Sequence, residues 1–338
     1  MLSNVAIAAA SIYCCVSTAS MAWNIVGALI MALFWQQCGW LAHDFLHHQV
    51  FKTRAYGDMM GVLIGNVFQG FSVNWWKQKH NAHHAVPNLH ASSPGATDGD
   101  PDIDTMPLLA WTKRMASFGK DNSSARFFIK YQPILYFPIL FFARLSWANE
   151  SIKMVFGGGL SFGEEVNAGG KEAQEAKQKC MQYPVLEQIG LGLHYAALGT
   201  VMYNMPGGAL NALVFFFVAQ TFSGLLLAVV FGLGHNGMAV YPADERPDFW
   251  KLQVSTTRNI TSNFFVDWFC GGLQYQVDHH LFPQLPRHNL PKVHEMVAEF
   301  CKEYNVTYHE ANMWDGTVEV LSHLNEVAVE FVTEFPAM

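Results

Sequence analysis

The spacing of apolar and charged positions divides the chain into blocks. No Asp, Glu, Lys or Arg precedes Asp44 and none lies between Glu187 and Asp244, which leaves charge-free runs of 43 and 56 residues. A helix that crosses a bilayer needs about 20 apolar residues, so each run predicts a pair of spanning helices. The first run divides into Val5 to Ser17 and Met21 to Ala42 around the polar residues Ser17, Thr18 and Ser20. The second divides into Gln188 to Tyr203 and Ala209 to Gly234 around Asn204-Met205-Pro206-Gly207-Gly208, a strong turn signal. Two further apolar stretches differ in kind. Met59 to Trp76 carries no charge but includes Asn66, Gln69, Ser72 and Asn74, and Tyr131 to Ala143 is short and holds Pro133 and Pro138. Both are expected to be interfacial or re-entrant. The polar segment Asn149 to Lys179 reads as an exposed loop or surface helix, and no internal repeat is evident.

Charge gives these elements an orientation. The two short connectors contain no Lys or Arg, while all 20 basic residues fall elsewhere. By the positive-inside rule the connectors face away from the cytosol, and residues 43–186 and 235–338 form a cytosolic cap. The expected architecture is therefore an all-α polytopic membrane protein with four spans in two hairpins and a helical cap, a single domain over 1–338. Composition agrees: 51% of residues are hydrophobic and 14% charged, against roughly 25% charged in soluble domains. A net charge of -7 leaves no basic stripe for nucleic acid. The six cysteines show no CxxC spacing and read as scattered reduced thiols. The first twenty residues lack a basic segment, which favours a membrane helix over a signal peptide.

The candidate chemistry lies in the histidines. His43, His47 and His48 form HxxxHH, His80, His83 and His84 form HxxHH, and Gln276, His279 and His280 form QxxHH. Positions three and four apart share a helix face, so each cluster can aim two or three side chains at one point. All three are assigned to the cytosolic side. Imidazole suits iron, zinc, copper and nickel, and eight imidazoles exceed the need of one ion, so two ions are implied. His235, at the cytosolic end of the fourth span, joins the ligand candidates, with Asn236 beside it to hold a water or orient the ring. His90, His194, His309 and His323 have no neighbour at ligand spacing and read as hydrogen-bonded residues. A carboxylate-bridged bundle would require Glu-x-x-His pairs and a zinc protease HExxH, and neither occurs. A metal transporter would place ligands along several spans, whereas only His194 is mid-span.

In these boxes the chain resembles the membrane-bound, histidine-box fatty acyl desaturases, and among them the front-end subgroup. The residues that carry the resemblance are HDFLHH at 43–48, HNAHH at 80–84 and DWFCGGLQYQVDHHLFPQLPRHNL at 267–290. Gln276 in place of the first histidine of the third box marks the front-end subgroup. The acidic run DGDPDIDTMPLLAW is also similar to that subgroup, and Asp100, Asp102 and Asp104 within it read as a solvated loop.

The resemblance implies a non-haem di-iron centre that uses O2 and two electrons to insert a cis double bond between an existing one and the carboxyl end of a polyunsaturated acyl chain, delta-6 being one choice beside delta-5, delta-8 and delta-4. It implies His43, His47, His48, His80, His83, His84, His235, His279 and His280 as iron ligands. Gln276 is a weak amide-oxygen ligand or, preferably, a hydrogen-bond donor behind the ligands. Expected partners are a fatty acyl lipid or acyl-CoA, membrane lipid, and cytochrome b5 with its reductase; the location is the endoplasmic reticulum with the site facing the cytosol, or a plastid membrane. The alternatives on the same scaffold are a sphingolipid delta-8 desaturase and an acyl hydroxylase. Trp35, Trp40, Trp75, Trp76, Phe264, Phe265, Trp268 and Phe269 are candidates for an acyl tunnel, though Trp at membrane ends is more often an anchor. Arg287, His288 and Asn289 match the third-box extension and are expected to position the box, meet an electron donor or simply pack. Front-end desaturases usually carry a cytochrome b5 domain with His-Pro-Gly-Gly; the similar string here, Met205-Pro206-Gly207-Gly208, lacks the histidine, so the expectation is a fragment of a longer protein or a separate electron donor.

Overall fold

The computed structural model describes residues 1–92, 96–157 and 181–336. Its helices in chain order are α1 (Leu2–Val16), α2 (Met21–Leu46), α3 (Arg54–Gly61), a π-helix (Val62–Gln69), α4 (Val73–Ala85), α5 (Lys113–Phe118), α6 (Ser123–Leu140), α7 (Ala143–Phe156), α8 (Pro184–Tyr203), α9 (Gly208–His235), α10 (Phe249–Ser255), α11 (Phe264–Cys270), α12 (Gln276–Leu281), α13 (Leu290–Glu303) and α14 (Met313–Glu334). Two residues of β-strand, Asn259–Ile260, pair in parallel with Glu310–Ala311. The chain is thus mostly helical, and it divides into two compact units.

The first unit takes its described residues from 1–77, 140–157 and 181–229. Small residues let α1 and α2 approach closely, the usual device between membrane helices. A Cβ on Gly27 would lie 2.5 Å from Cys15 Sγ, and Ser11 Oγ donates to the Gly27 carbonyl at 2.7 Å. Asn24 Nδ2 donates to the Cys15 carbonyl at 3.2 Å, answering one of the acceptors left open at the end of α1. Ala28, Met31, Trp35, Leu198, Phe215 and Ala219 form the apolar core around them.

Among the described residues, only α2 and α9 are long and apolar enough to cross a membrane. On α9, Leu210, Leu213 and Phe217 stay exposed, an apolar surface suited to lipid. The expected first span is a shorter helix of 15 residues, and the expected third begins at Pro184, so Glu187 lies inside it. Residues 59–76 form neither a span nor one helix. The π-helix ends at Gly70, whose φ of +90° and whose absent Cβ, 2.5 Å from His194 Nε2, leave room for glycine alone. The 131–143 stretch belongs to a longer helix, α6, with Pro133 and Pro138 inside it. The segment expected as an exposed loop or surface helix from Asn149 is helical through Phe156, but Ser151, Lys153, Met154 and Val155 are buried; its remainder, 158–179, lies outside the described residues.

The second unit takes its described residues from 78–92, 96–139 and 230–336. Val254, Val277, Val297 and Cys301 form one core cluster, joining α10, α12 and α13. Gln132 ties α6 to α14 by donating to the Leu324 carbonyl at 2.8 Å. Asn259 Oδ1 accepts from Val277 N at 2.8 Å, at the start of the short helix α12 that carries the third box.

Candidate metal centre

Helical periodicity deals the histidines of the second and third boxes onto two positions. Along α4, His80 and His84 share a face and His83 is turned from it; on α12, the adjacent His279 and His280 diverge in the same way. Two imidazole triads result within the second unit. In one, His84 Nε2 lies 3.1 Å from His80 Nε2 and 3.1 Å from His279 Nε2. In the other, His83 Nε2 lies 3.3 Å from His235 Nε2, and the His280 ring centroid is 4.9 Å from that of His83 and 4.7 Å from that of His235. The donor atoms of each triad all lie within 4.8 Å of one another, and all six residues are buried or nearly so. The stacked rings of His84 and His280, 4.2 Å apart, place the triads side by side.

This donor chemistry fits transition-metal ions. Metal–nitrogen bonds of about 2.1 Å put neighbouring nitrogens of a tetrahedral or octahedral shell roughly 3.0–3.4 Å apart, the spacing found here. The far nitrogens set the tautomers. His280 Nδ1 is 2.9 Å from Gln253 Oε1, which can only accept, and His83 Nδ1 is 2.9 Å from Asp100. Both rings therefore carry their proton on Nδ1 and present an Nε2 lone pair inward, the usual arrangement of a ligand histidine. Burial lowers the pKa of His83, but Asp100 and Asp102 outweigh it, and the net shift is upward.

Sequence reasoning missed both partners. Gln253 is fully buried on α10, and its Nε2 also donates to the His84 carbonyl at 3.1 Å. The expected solvated loop holds for Asp104, which is exposed, but Asp100 is 3% exposed. Its interior place is allowed because it accepts hydrogen bonds through both oxygens. Nothing in the local sequence distinguishes Asp100 from its neighbours; in retrospect the only trace is its place in the acidic run that follows the second box. Behind the third box Asp278 is also buried, bonded to Tyr308 Oη and Asn259 at 2.9 Å. Burial raises its pKa.

The remaining predicted residues fall as follows. Gln276 Nε2 is 2.8 Å from His235 Nε2, so its amide borders the second triad. Gly234 makes that approach possible, since a Cβ there would be 2.9 Å from Gln276 Cγ. Asn236 donates to Tyr136 Oη at 3.0 Å. In the first unit, the rings of His43 and His47 are 4.4 Å apart and both lie 5.7 Å from Trp76. His48 follows the end of α2 with φ of +57° and its Nε2 is 3.9 Å from Asp58. The lone histidines are hydrogen-bonded as expected: His90 to Thr112, His194 to the Val67 carbonyl, His309 to Glu319 and His323 to the Trp111 carbonyl. Trp35 and Trp40 are core residues, whereas Phe264 is 93% exposed. Arg287 packs against Gly272.

Paired imidazole triads at the end of an apolar helix form a histidine-rich candidate metal centre. The family model for fatty acid desaturases matches residues 20–312, and the chain belongs to that family. It is 40% identical over 97% of its length to an acyl-lipid (9-3)-desaturase of Physcomitrium patens, of which it covers 58%. It is 36% identical to a Delta(6)-fatty-acid desaturase of Caenorhabditis elegans and 33% identical to a Delta(8)-fatty-acid desaturase of Euglena gracilis. These matches cover 91% and 88% of this chain, and 66% of each relative. The chain thus spans about three fifths to two thirds of the length of these relatives.

Proposed function

We propose that this chain is the catalytic portion of a front-end fatty acyl desaturase. The observation that carries the reading is the pair of inward-facing triads, His80, His84, His279 and His83, His235, His280, in a chain of this family with Gln276 in the third box. His43, His47 and His48 complete the ligand set; this rests on the box motif and on the need of two ions for more donors than six imidazoles supply. Of the nine, His48 has the least geometric support. Gln276 lies beside the His235 edge of the centre, 2.8 Å from its Nε2.

Two iron ions held there would supply the redox chemistry by which O2, two electrons and two protons from solvent, together with two hydrogens taken from an unactivated pair of methylenes, yield a cis double bond and two waters. The chain's own part is to fix the ligands. Gln253 and Asp100 hold ring orientation and tautomer, and burial keeps bulk water from the nitrogens. The substrate is a polyunsaturated acyl chain carried on lipid or CoA. Among the relatives delta-6, delta-8 and 9-3 names all occur, and delta-6 is our choice. Cytochrome b5 supplies the electrons. In this reading α1, α2, α8 and α9 form two membrane hairpins in the endoplasmic reticulum, with the boxes on the cytosolic side.

The test is expression in yeast with a co-expressed cytochrome b5, feeding linoleic, α-linolenic and longer polyunsaturated acids, with products read by gas chromatography. A new double bond on the carboxyl side of an existing one is expected. An iron-loaded protein that converts none of them refutes the proposal.

A further inference from the structure

The acidic loop after the second box contributes a carboxylate that the local chain does not require. Asp100 is 3% exposed, whereas Asp104 and Asp102, whose Oδ2 stands off at 3.6 Å from His83 Nδ1, remain at the surface. Its two oxygens lie 3.0 and 2.9 Å from His83 Nδ1. Oδ2 also accepts from Asn88 N at 2.7 Å, and Oδ1 from Asp102 N at 2.8 Å. Asn88 is itself held in the left-handed region, φ +50°, and its Nδ2 donates to the carbonyls of His235 at 3.1 Å and Ala239 at 3.2 Å. One carboxylate therefore grips the His83 ring and the backbone of a residue whose side chain grips the end of α9.

A buried carboxylate with this many donors is a built feature, because burying it without them would be costly. The partner it selects is informative. Nδ1 is the nitrogen of His83 that faces away from the triad, and a carboxylate there can only accept, so it excludes the tautomer that would put a proton on Nε2. We infer that Asp100 is the positioning residue of His83, fixing its Nε2 toward His235 and His280, and that through Asn88 it keeps His83 and His235 in one register. The role deepens the proposed two-ion centre and rests on it. Carboxylates behind metal-bound histidines typically change metal affinity 10–100-fold when removed.

The test uses the full chain, stripped of metal in detergent and titrated anaerobically with Fe(II), with bound ions counted by mass spectrometry after equilibrium dialysis. Wild type is expected to hold two ions. Asp100→Asn, which keeps the shape and loses the charge, is expected to hold one as wild type does and the other 10–100-fold more weakly, with an unchanged circular dichroism spectrum. Asp100→Glu, which keeps the charge but adds a methylene, should bind closer to wild type than Asp100→Asn. A purely packing role predicts the opposite order. Two ions at wild-type affinity in Asp100→Asn overturn the inference and leave the desaturase reading intact; a wild-type chain that takes up no iron overturns both. If Asp100→Asn does not fold, Asp100→Glu decides, and its loss of an ion by more than 100-fold refutes the charge-based role.

Discussion

Glu187 offers a test of what fixes the start of α4. Its carboxylate sits at the start of α4, 115 residues away in sequence, where Ser72 Oγ donates to Oε2 at 2.5 Å and Asn74 N donates to Oε1 at 3.0 Å. Ser72 Oγ in turn accepts from Trp75 N at 3.2 Å, the N-cap pattern. Glu187→Ala removes three hydrogen bonds to this carboxylate, from Ser72, Asn74 and, at 3.4 Å, Asn66, each worth roughly 1.5–3 kcal/mol. Relief from burying the carboxylate offsets part of this, leaving a loss of about 2–4 kcal/mol. At roughly 2 °C per kcal/mol for a chain of this size, melting of the detergent-solubilised protein, followed by tryptophan fluorescence, should fall by about 4–8 °C. Glu187→Gln keeps an acceptor for Asn74 N and should lose about half as much. An alanine variant that melts within 1 °C of wild type, or a glutamine variant that melts below it, would show that the carboxylate does not anchor α4.

Gln253→Leu removes the hydrogen bonds from Gln253 to His280 Nδ1 and to the His84 carbonyl, each worth about 0.5–1.5 kcal/mol. Iron affinity should drop 10–100-fold, checked by the dialysis assay, with unchanged affinity as the refuting result. Gly234→Ala puts a methyl group 2.9 Å from Gln276 Cγ and should lower turnover at least tenfold while expression persists; wild-type product yield by gas chromatography would show that Gln276 can move without consequence. Removal of metal by a chelator should destabilise the protein, because two neighbouring imidazole triads lose the ions that bind only the folded state. A melting temperature that rises or holds after chelation, with iron shown to have left, would count against ligation by these histidines.

What could be read from the sequence were features of short range. The charge-free runs at 1–43 and 188–243 mark α2 and α9, since a bilayer tolerates no unpaired charge over about 20 residues. The spacings within HxxHH and QxxHH mark the imidazoles that the structure gathers into triads, since three and four residues bring side chains to a common face. Even the inclusion of His235 follows from its place at the end of an apolar run. Other decisions belong to tertiary structure alone. That His83 pairs with His235 while His80 pairs with His84 and His279 depends on how α4, α9 and α12 meet. Asp100, Gln253 and Glu187 gain their partners across 17, 27 and 115 residues, and no periodicity links them. A solvated acidic loop and a buried carboxylate bonded to a histidine have the same local sequence; only packing, which sets the cost of burying a charge and the donors that offset it, tells them apart.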